Sequence, residues 1–255
     1  MKRATVLGLV LVIVSLGSSL AQDAPRPEWF LVYEEDVRPG ATAEYETQVR
    51  SMIRAFNEKK LDSPHLRWQT FETDNSDYIF LSRLNEIADL PQYNAAWMNA
   101  MAALGPLSGT MRQSATRTTN SYASFLAMRR MDLSYVPAAP RLKPEEIGFI
   151  HHDFYYIVPG KELEVEQLAK DYAAALRKVD FADGFTVWMP MMGTDLPVIV
   201  VSTSARNEAD WVATDERHLK ALGAEGKALN DRIQATIRKT DSRNLRYRAD
   251  LSRLP

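Results

Sequence analysis

The chain says nearly the same thing twice, at a spacing close to 118 residues. Asp132-Leu133-Ser134 with Pro137 returns as Asp250-Leu251-Ser252 with Pro255, and Ala103-Leu104-Gly105 returns as Ala221-Leu222-Gly223. Nearer the head of each copy, Phe30 and Pro39-Gly40 are answered by Phe149 and Pro159-Gly160, and Trp68 is set against Trp188. These last pairs lie 119 or 120 apart, so small insertions separate the copies. A unit of this length is a small domain, too long for a solenoid repeat. Each position can therefore be read twice.

One copy reads as strand, helix, strand, strand, helix, strand. Residues 29–37 are rich in aromatic and branched side chains and stop at the turn signal Arg38-Pro39-Gly40. Tyr45, Val49, Met52, Ile53 and Phe56 then fall at helical spacing, and Val165, Ala169, Tyr172, Ala173 and Leu176 fill the same slots in the second copy. Strand-like runs at 66–73 and 78–84 flank Asp74-Asn75-Ser76-Asp77, and runs at 185–191 and 198–202 flank Gly193-Thr194-Asp195, as hairpins would. Second helices are expected at 90–104 and 210–222, each stopped by a glycine, and last strands near 123–131 and 244–249. This is the α+β, ferredoxin-like βαββαβ order. Its antiparallel sheet carries both helices on one side and leaves the other bare. Two copies can pack those bare faces into one barrel. The divisions expected are residues 22–137 and 145–255 for the repeats, with a stiff proline-rich tether, 138–144, between them.

The first 21 residues read as a cleavable signal peptide. Lys2 and Arg3 precede a short apolar run, and Ser19-Leu20-Ala21 is a small-x-small cleavage site. The mature chain is thus expected to be periplasmic or secreted, with no membrane span. Its loss of two basic residues moves the formal charge from −2 to −4. Acidic and basic residues are interspersed, which argues against a nucleic-acid binder. The arginines at 129, 130, 243, 246 and 248 read as the solvated edge of a strand. With no cysteine, disulfides, thiolate metal sites and a cysteine nucleophile are excluded.

Two such units in one chain resemble the dimeric α+β barrel superfamily, whose members include cofactor-free monooxygenases, haem-degrading enzymes, chlorite-dismutase-like and NIPSNAP-like proteins. The opening of each copy, Val37-Arg38-Pro39-Gly40 and Ile157-Val158-Pro159-Gly160 before an acidic amphipathic helix, is similar to the NIPSNAP-like and monooxygenase-like branches. The resemblance implies an intramolecular pseudo-dimer, open to further oligomerisation, whose cavities take a small, largely apolar molecule without a cofactor. The activity implied is monooxygenase-like or isomerase-like. The alternative is a binding or scaffold protein without chemistry.

The copies differ most in the first strand. His151, Asp153 and Tyr155 share one face of it, opposite His152, where the first copy has Leu31, Tyr33 and Glu35. An Asp two residues along can orient a histidine and make it more basic, and a phenol can donate to an oxyanion. The expected catalytic set is His151 as base, Asp153 and Tyr155, with Tyr33, Glu35 and His218 contacting substrate. The competing reading is a hydrogen-bonded structural cluster. By position His218 resembles the haem ligand of haem-degrading relatives, but neither first strand carries the accompanying asparagine. The thioethers in Trp188-Met189-Pro190-Met191-Met192 suit soft Cu(I), although methionine also fills core gaps, and no metal is expected.

Overall fold

The computed structural model describes residues 27–254, so the expected signal segment lies outside the described residues. Each half builds the expected order. The first comprises β1 (Glu28–Val37), α1 (Thr42–Glu58), β2 (Gln69–Thr73), β3 (Asp77–Leu84), α2 (Leu90–Leu104), α3 (Pro106–Thr118) and β4 (Thr119–Arg129). The second comprises β5 (Phe149–Ile157), α4 (Glu162–Lys178), β6 (Phe185–Met192), β7 (Val198–Ala205), α5 (Glu208–Gln234) and β8 (Ile237–Tyr247).

All eight strands close into one antiparallel barrel in the order β1-β3-β2-β8-β5-β7-β6-β4. The two half-sheets join edge to edge, β2 with β8 and β4 with β6. Closure leaves neither half an open edge, the principal aggregation liability of a four-stranded sheet. Strand side chains alternate, so even-numbered residues of β1 and β5 point into the barrel and odd-numbered ones toward the helices. Val32, Ile79, Ala127 and Leu245 form the apolar centre of the interior. Under the first-half helices Ala55, Phe56, Leu66, Trp68 and Leu104 pack together, and under the second-half helices Leu168, Ala173, Leu176 and Leu222 do so.

The second helical region runs further than the sequence suggests. Gly105 (φ 58°, ψ −128°) separates α2 from α3, and Gly223 (φ 51°, ψ −128°) kinks α5 with the same backbone turn. Positive φ explains glycine at both places. Helix resumes beyond it, and the last strands accordingly begin at Thr119 and Ile237. A second correction concerns register. Thr70 N donates to Ser252 Oγ, and Val187 N donates to Ser134 Oγ. Thr70 therefore matches Val187, so Trp68 matches Phe185 and not Trp188. Trp68 sits in the helix-side core, whereas Trp188 lies in the barrel.

The repeated Asp-Leu-Ser motif is a reciprocal clasp. Leu133 ends the first copy yet is fully buried among Ile157, Val165, Val187 and Ile199 of the second. Leu251 ends the second copy and is fully buried among Val37, Tyr45, Val49 and Tyr78 of the first. Arginine ion pairs fasten both tails. Arg130 grips Asp132 at 2.8 Å and Glu166 at 3.0 Å, and Arg248 grips Glu72 at 2.8 Å, Asp250 at 3.0 Å and Glu46. Arg50 adds a 2.7 Å contact to Asp250. These arginines are ion-pair partners across the seam between the halves. Arg243 and Arg246 likewise pair with Glu34 and Asp74 of the other copy.

Candidate functional site

Each half encloses a cavity between its helices and the outward face of its sheet. The first holds about 530 Å³ and the second about 240 Å³. Sites for drug-sized ligands commonly occupy roughly 300–1,000 Å³, so only the first reaches that range.

The floor of the larger cavity is β1, which presents Leu31, Tyr33 and Glu35. Burial pushes the Glu35 carboxyl above the usual carboxylate range. Tyr45 lies close enough to oppose that rise, although its geometry falls short of a hydrogen bond. Burial, with the charge of Glu35 beside it, likewise raises the Tyr33 phenol. Tyr33 stacks on the exposed Tyr122 with ring centroids 5.7 Å apart, which puts the pair at the mouth. Helix α1 supplies Tyr45 and Gln48, and α2 supplies Tyr93 and Trp97.

Three buried polar atoms facing this cavity lack any hydrogen-bond partner: the Tyr45 hydroxyl, Gln48 Oε1 and Trp97 Nε1. Buried polar groups are paired in the great majority of cases, because an unpaired one costs about 1–3 kcal/mol. Three in one cavity mark a surface built to meet something polar. Gln48 Nε2 is already engaged, donating to the Met111 carbonyl at 3.0 Å, which aims Oε1 inward.

In the second half, Asp153 and Tyr155 line the smaller cavity together with Tyr172, Asp215 and His218, while His151 does not. Trp211 covers the His151 ring with centroids 4.2 Å apart. Nδ1 of His151 lies 2.8 Å from Asn244 Oδ1, and Nε2 lies 3.1 Å from Asp153 Oδ1. Asn244 donates its own amide to Asp74 at 2.7 Å, so its oxygen must accept from His151. The Asp153 carboxylate also accepts. Both ring nitrogens therefore carry protons, and the ring is an imidazolium without a free lone pair. Burial alone would lower its pKa, but the bonds to Asp153 and Asn244 outweigh that and raise it. Burial raises the Tyr155 phenol and lifts Tyr172 to about 12.

Burial keeps His218 neutral by lowering its pKa. Its ring is flanked by Tyr172 at 5.4 Å and Phe181 at 5.3 Å, with Nε2 unpartnered. The residues do not fit haem: about 240 Å³ is too little for a macrocycle, and two rings already flank the imidazole. Met189 sulfur lies 3.3 Å from Arg130, and Met191 and Met192 are exposed. No group of three or more potential His, Asp or Glu metal ligands occurs among the described residues.

The sequence pointed to Tyr33 and Glu35 and put Tyr45 in the helical stripe that is indeed buried, but it did not single out Gln48, Tyr93 or Trp97 as cavity residues. The signal available was polarity: two hydroxyls, an indole N–H and the amide of Gln48 are unusual on a surface meant only for packing.

No protein-family model matches the sequence, and no curated protein matches it. Solved structures do match in three dimensions. An anthrone oxidase-like protein shares 11% identity over 88% of this chain and 93% of its own, with a TM-score of 0.57. A candidate monooxygenase from Lactobacillus acidophilus NCFM shares 7% over 87% and 94%, with a TM-score of 0.52. A candidate chlorite dismutase shares 12% over 88% and 96%, with a TM-score of 0.51. With the closed eight-stranded sheet, these likenesses establish the fold. The chain is a dimeric α+β barrel, with both halves supplied by one polypeptide. No helix among the described residues is long and apolar enough to cross a membrane.

Proposed function

We propose that the first-half cavity binds a small, largely apolar ring compound and that Glu35 moves a proton on it. The observation that carries this is the buried Glu35 carboxyl, its affinity for protons raised, in a roomy cavity with three unsatisfied polar atoms. A carboxylate raised toward neutral pH is a more effective general base than an exposed one. Trp97 Nε1 asks for an acceptor on the ligand, and Gln48 Oε1 asks for a donor. Glu35 would take a proton from an acidic C–H or O–H, leaving the anion beside the Tyr33 phenol. Returning the proton to another atom completes an isomerase-like reaction. In the presence of dioxygen the carbanion instead reduces it and forms a C–O bond; protonation gives a hydroperoxide, which loses water to leave a ketone. One oxygen atom thus enters the product and the other leaves as water, a monooxygenase-like outcome that the fold likeness to an anthrone oxidase-like protein supports.

In this reading His151 is the positioning cation that fixes Asp153, and Asp153, Tyr155 and His218 shape a smaller accessory cavity. Anthrone serves as the test compound, with dioxygen uptake and proton-for-deuteron exchange as readouts. Wild-type protein is expected to show one or both, and Glu35→Gln to lose about 10²–10⁴-fold. Binding of anthrone with neither readout would make the protein a non-catalytic binder. Absence of any anthrone binding would overturn the proposal. We propose also that the chain is exported, which mature N-terminal mass determination tests: the expected product begins at Gln22.

A further inference from the structure

The inside of the barrel differs between its two halves in a way that packing does not require. Four interior positions on neighbouring strands of the second half form a lateral row: Arg243, His152, Ser202 and Thr186. The matching row in the first half is Phe125, Val32, Leu81 and Gln69. One half thus builds this level of the barrel almost entirely from hydrocarbon, so the fold accepts apolar residues there. The other half places an imidazole and a hydroxyl side by side.

Neither group has a side-chain hydrogen-bond partner among the described residues. Ser202 Oγ is buried without a partner, as is the nearby Trp188 Nε1, and His152 makes no side-chain hydrogen bond. Burial, with the charges of His151 and Arg243, holds the His152 pKa down to about 4, so its ring is neutral at physiological pH. A neutral imidazole offers one donor and one acceptor. Around these groups lies a chamber of about 210 Å³, faced by Phe30, Phe71, Phe125, Phe154 and Trp188. A dry cavity of roughly 150 Å³ is enough to take a benzene ring. At one end Glu34 lines both this chamber and a wider polar vestibule, and Arg243 pairs with it at 3.0 Å.

We propose that this interior chamber is a second binding site, separate from the cavity under the helices, for a small neutral hydroxylated aromatic of phenol size. The ring lies among the phenylalanines, and the hydroxyl meets His152 and Ser202, which supply complementary donor and acceptor. A neutral ligand is favoured, because both charged side chains at the chamber wall are already compensated: Glu34 pairs with Arg243, and Arg129 pairs with Glu28 and lies over the Phe30 and Trp188 rings.

The test is fluorine NMR of the full chain titrated with 4-fluorophenol. A bound resonance is expected from the chamber, in addition to any from the helix-side cavity. His152→Val combined with Ser202→Leu installs the side chains the first half already uses. It should remove the chamber resonance or weaken binding at least about tenfold, the scale of one lost hydrogen bond. Its thermal transition should not fall. Trp188→Phe, which keeps a ring at that wall, is the second variant and should shift the same resonance. Glu35→Gln and Trp97→Phe should leave it untouched, which separates this proposal from the reading of the helix-side cavity. A bound resonance that answers to Glu35 or Trp97 but not to His152 would overturn the inference. So would a chamber that holds water only and binds no 4-fluorophenol.

Discussion

The two cavities under the helices grow from the same plan and end with opposite chemistry. In the first half, β1 presents Tyr33 and Glu35, and the acid stands nearly alone in an apolar setting. In the second half the same slots hold Asp153 and Tyr155, and the acid is paired with His151. A lone buried carboxyl is poised to exchange a proton, whereas the Asp153 oxygen is already engaged by His151. The cavity volumes run the same way, about 530 Å³ against 240 Å³. Duplication therefore left one half with the roomier cavity and let the other close down around a hydrogen-bonded pair.

The hardest test of the comparison is to ask whether the halves depend on each other equally. Leu133→Ala and Leu251→Ala each empty a fully buried site in the opposite half. Each should cost about 2–5 kcal/mol in denaturant unfolding. A large cost for one and none for the other would break the picture of a reciprocal clasp.

Next in size is His151→Leu, which installs the residue the first half carries at this slot. Loss of the imidazolium strands the Asn244 oxygen and one face of Asp153, so about 1–3 kcal/mol of stability should go. A pH scan sharpens this. The folded pKa of His151 is raised above its ordinary 6.5. Its contribution is therefore fully present below pH 6.5 and is lost as pH rises through the higher folded value. The difference between wild type and His151→Leu should shrink accordingly on the alkaline side. A difference independent of pH would assign His151 to packing against Trp211 alone.

The acid side probes the second clasp. Hydrogen bonds from Arg248 hold Glu46 and Asp250 down to about 2. Depressed carboxylates stabilise above their ordinary values, 4.5 and 3.8, and that stability is lost as pH falls toward 2. Glu46→Gln should flatten this part of the acid unfolding profile, modestly, since Asp250 is half exposed. The smallest effect expected is from Tyr155→Phe: anthrone turnover should be unchanged, because that phenol faces the accessory cavity. A fall comparable to that of Glu35→Gln would move the chemistry to the second half.

The barrel was legible because duplication and alternation are both written in the sequence. The order of elements, α1 with its apolar stripe, and α2 at 90–104 match the structure closely. Register across an insertion was not legible. Trp68 and Trp188 are the same residue type at nearly the same spacing, yet hydrogen bonding to Ser252 and Ser134 shows them three positions out of step. The pairing of β5 with β8 explains another limit. His151 looks basic beside Asp153, but Asn244, 93 residues away, fixes its second proton. Tyr45, Gln48 and Trp97 were hidden for the same reason, since only the three-dimensional cavity shows that their polar atoms go unanswered.

The exchanged tails also set an order of events during synthesis. Domains usually fold from the N-terminus as the chain emerges. Here the core around Tyr45 lacks Leu251, and Arg50 waits for Asp250, which is made 200 residues later. The second half meets its borrowed leucine, Leu133, before its own first strand has been translated. The half that begins last can thus be finished first, and the half bearing the larger cavity completes its core around Tyr45 only after the last strand of the second half has been made.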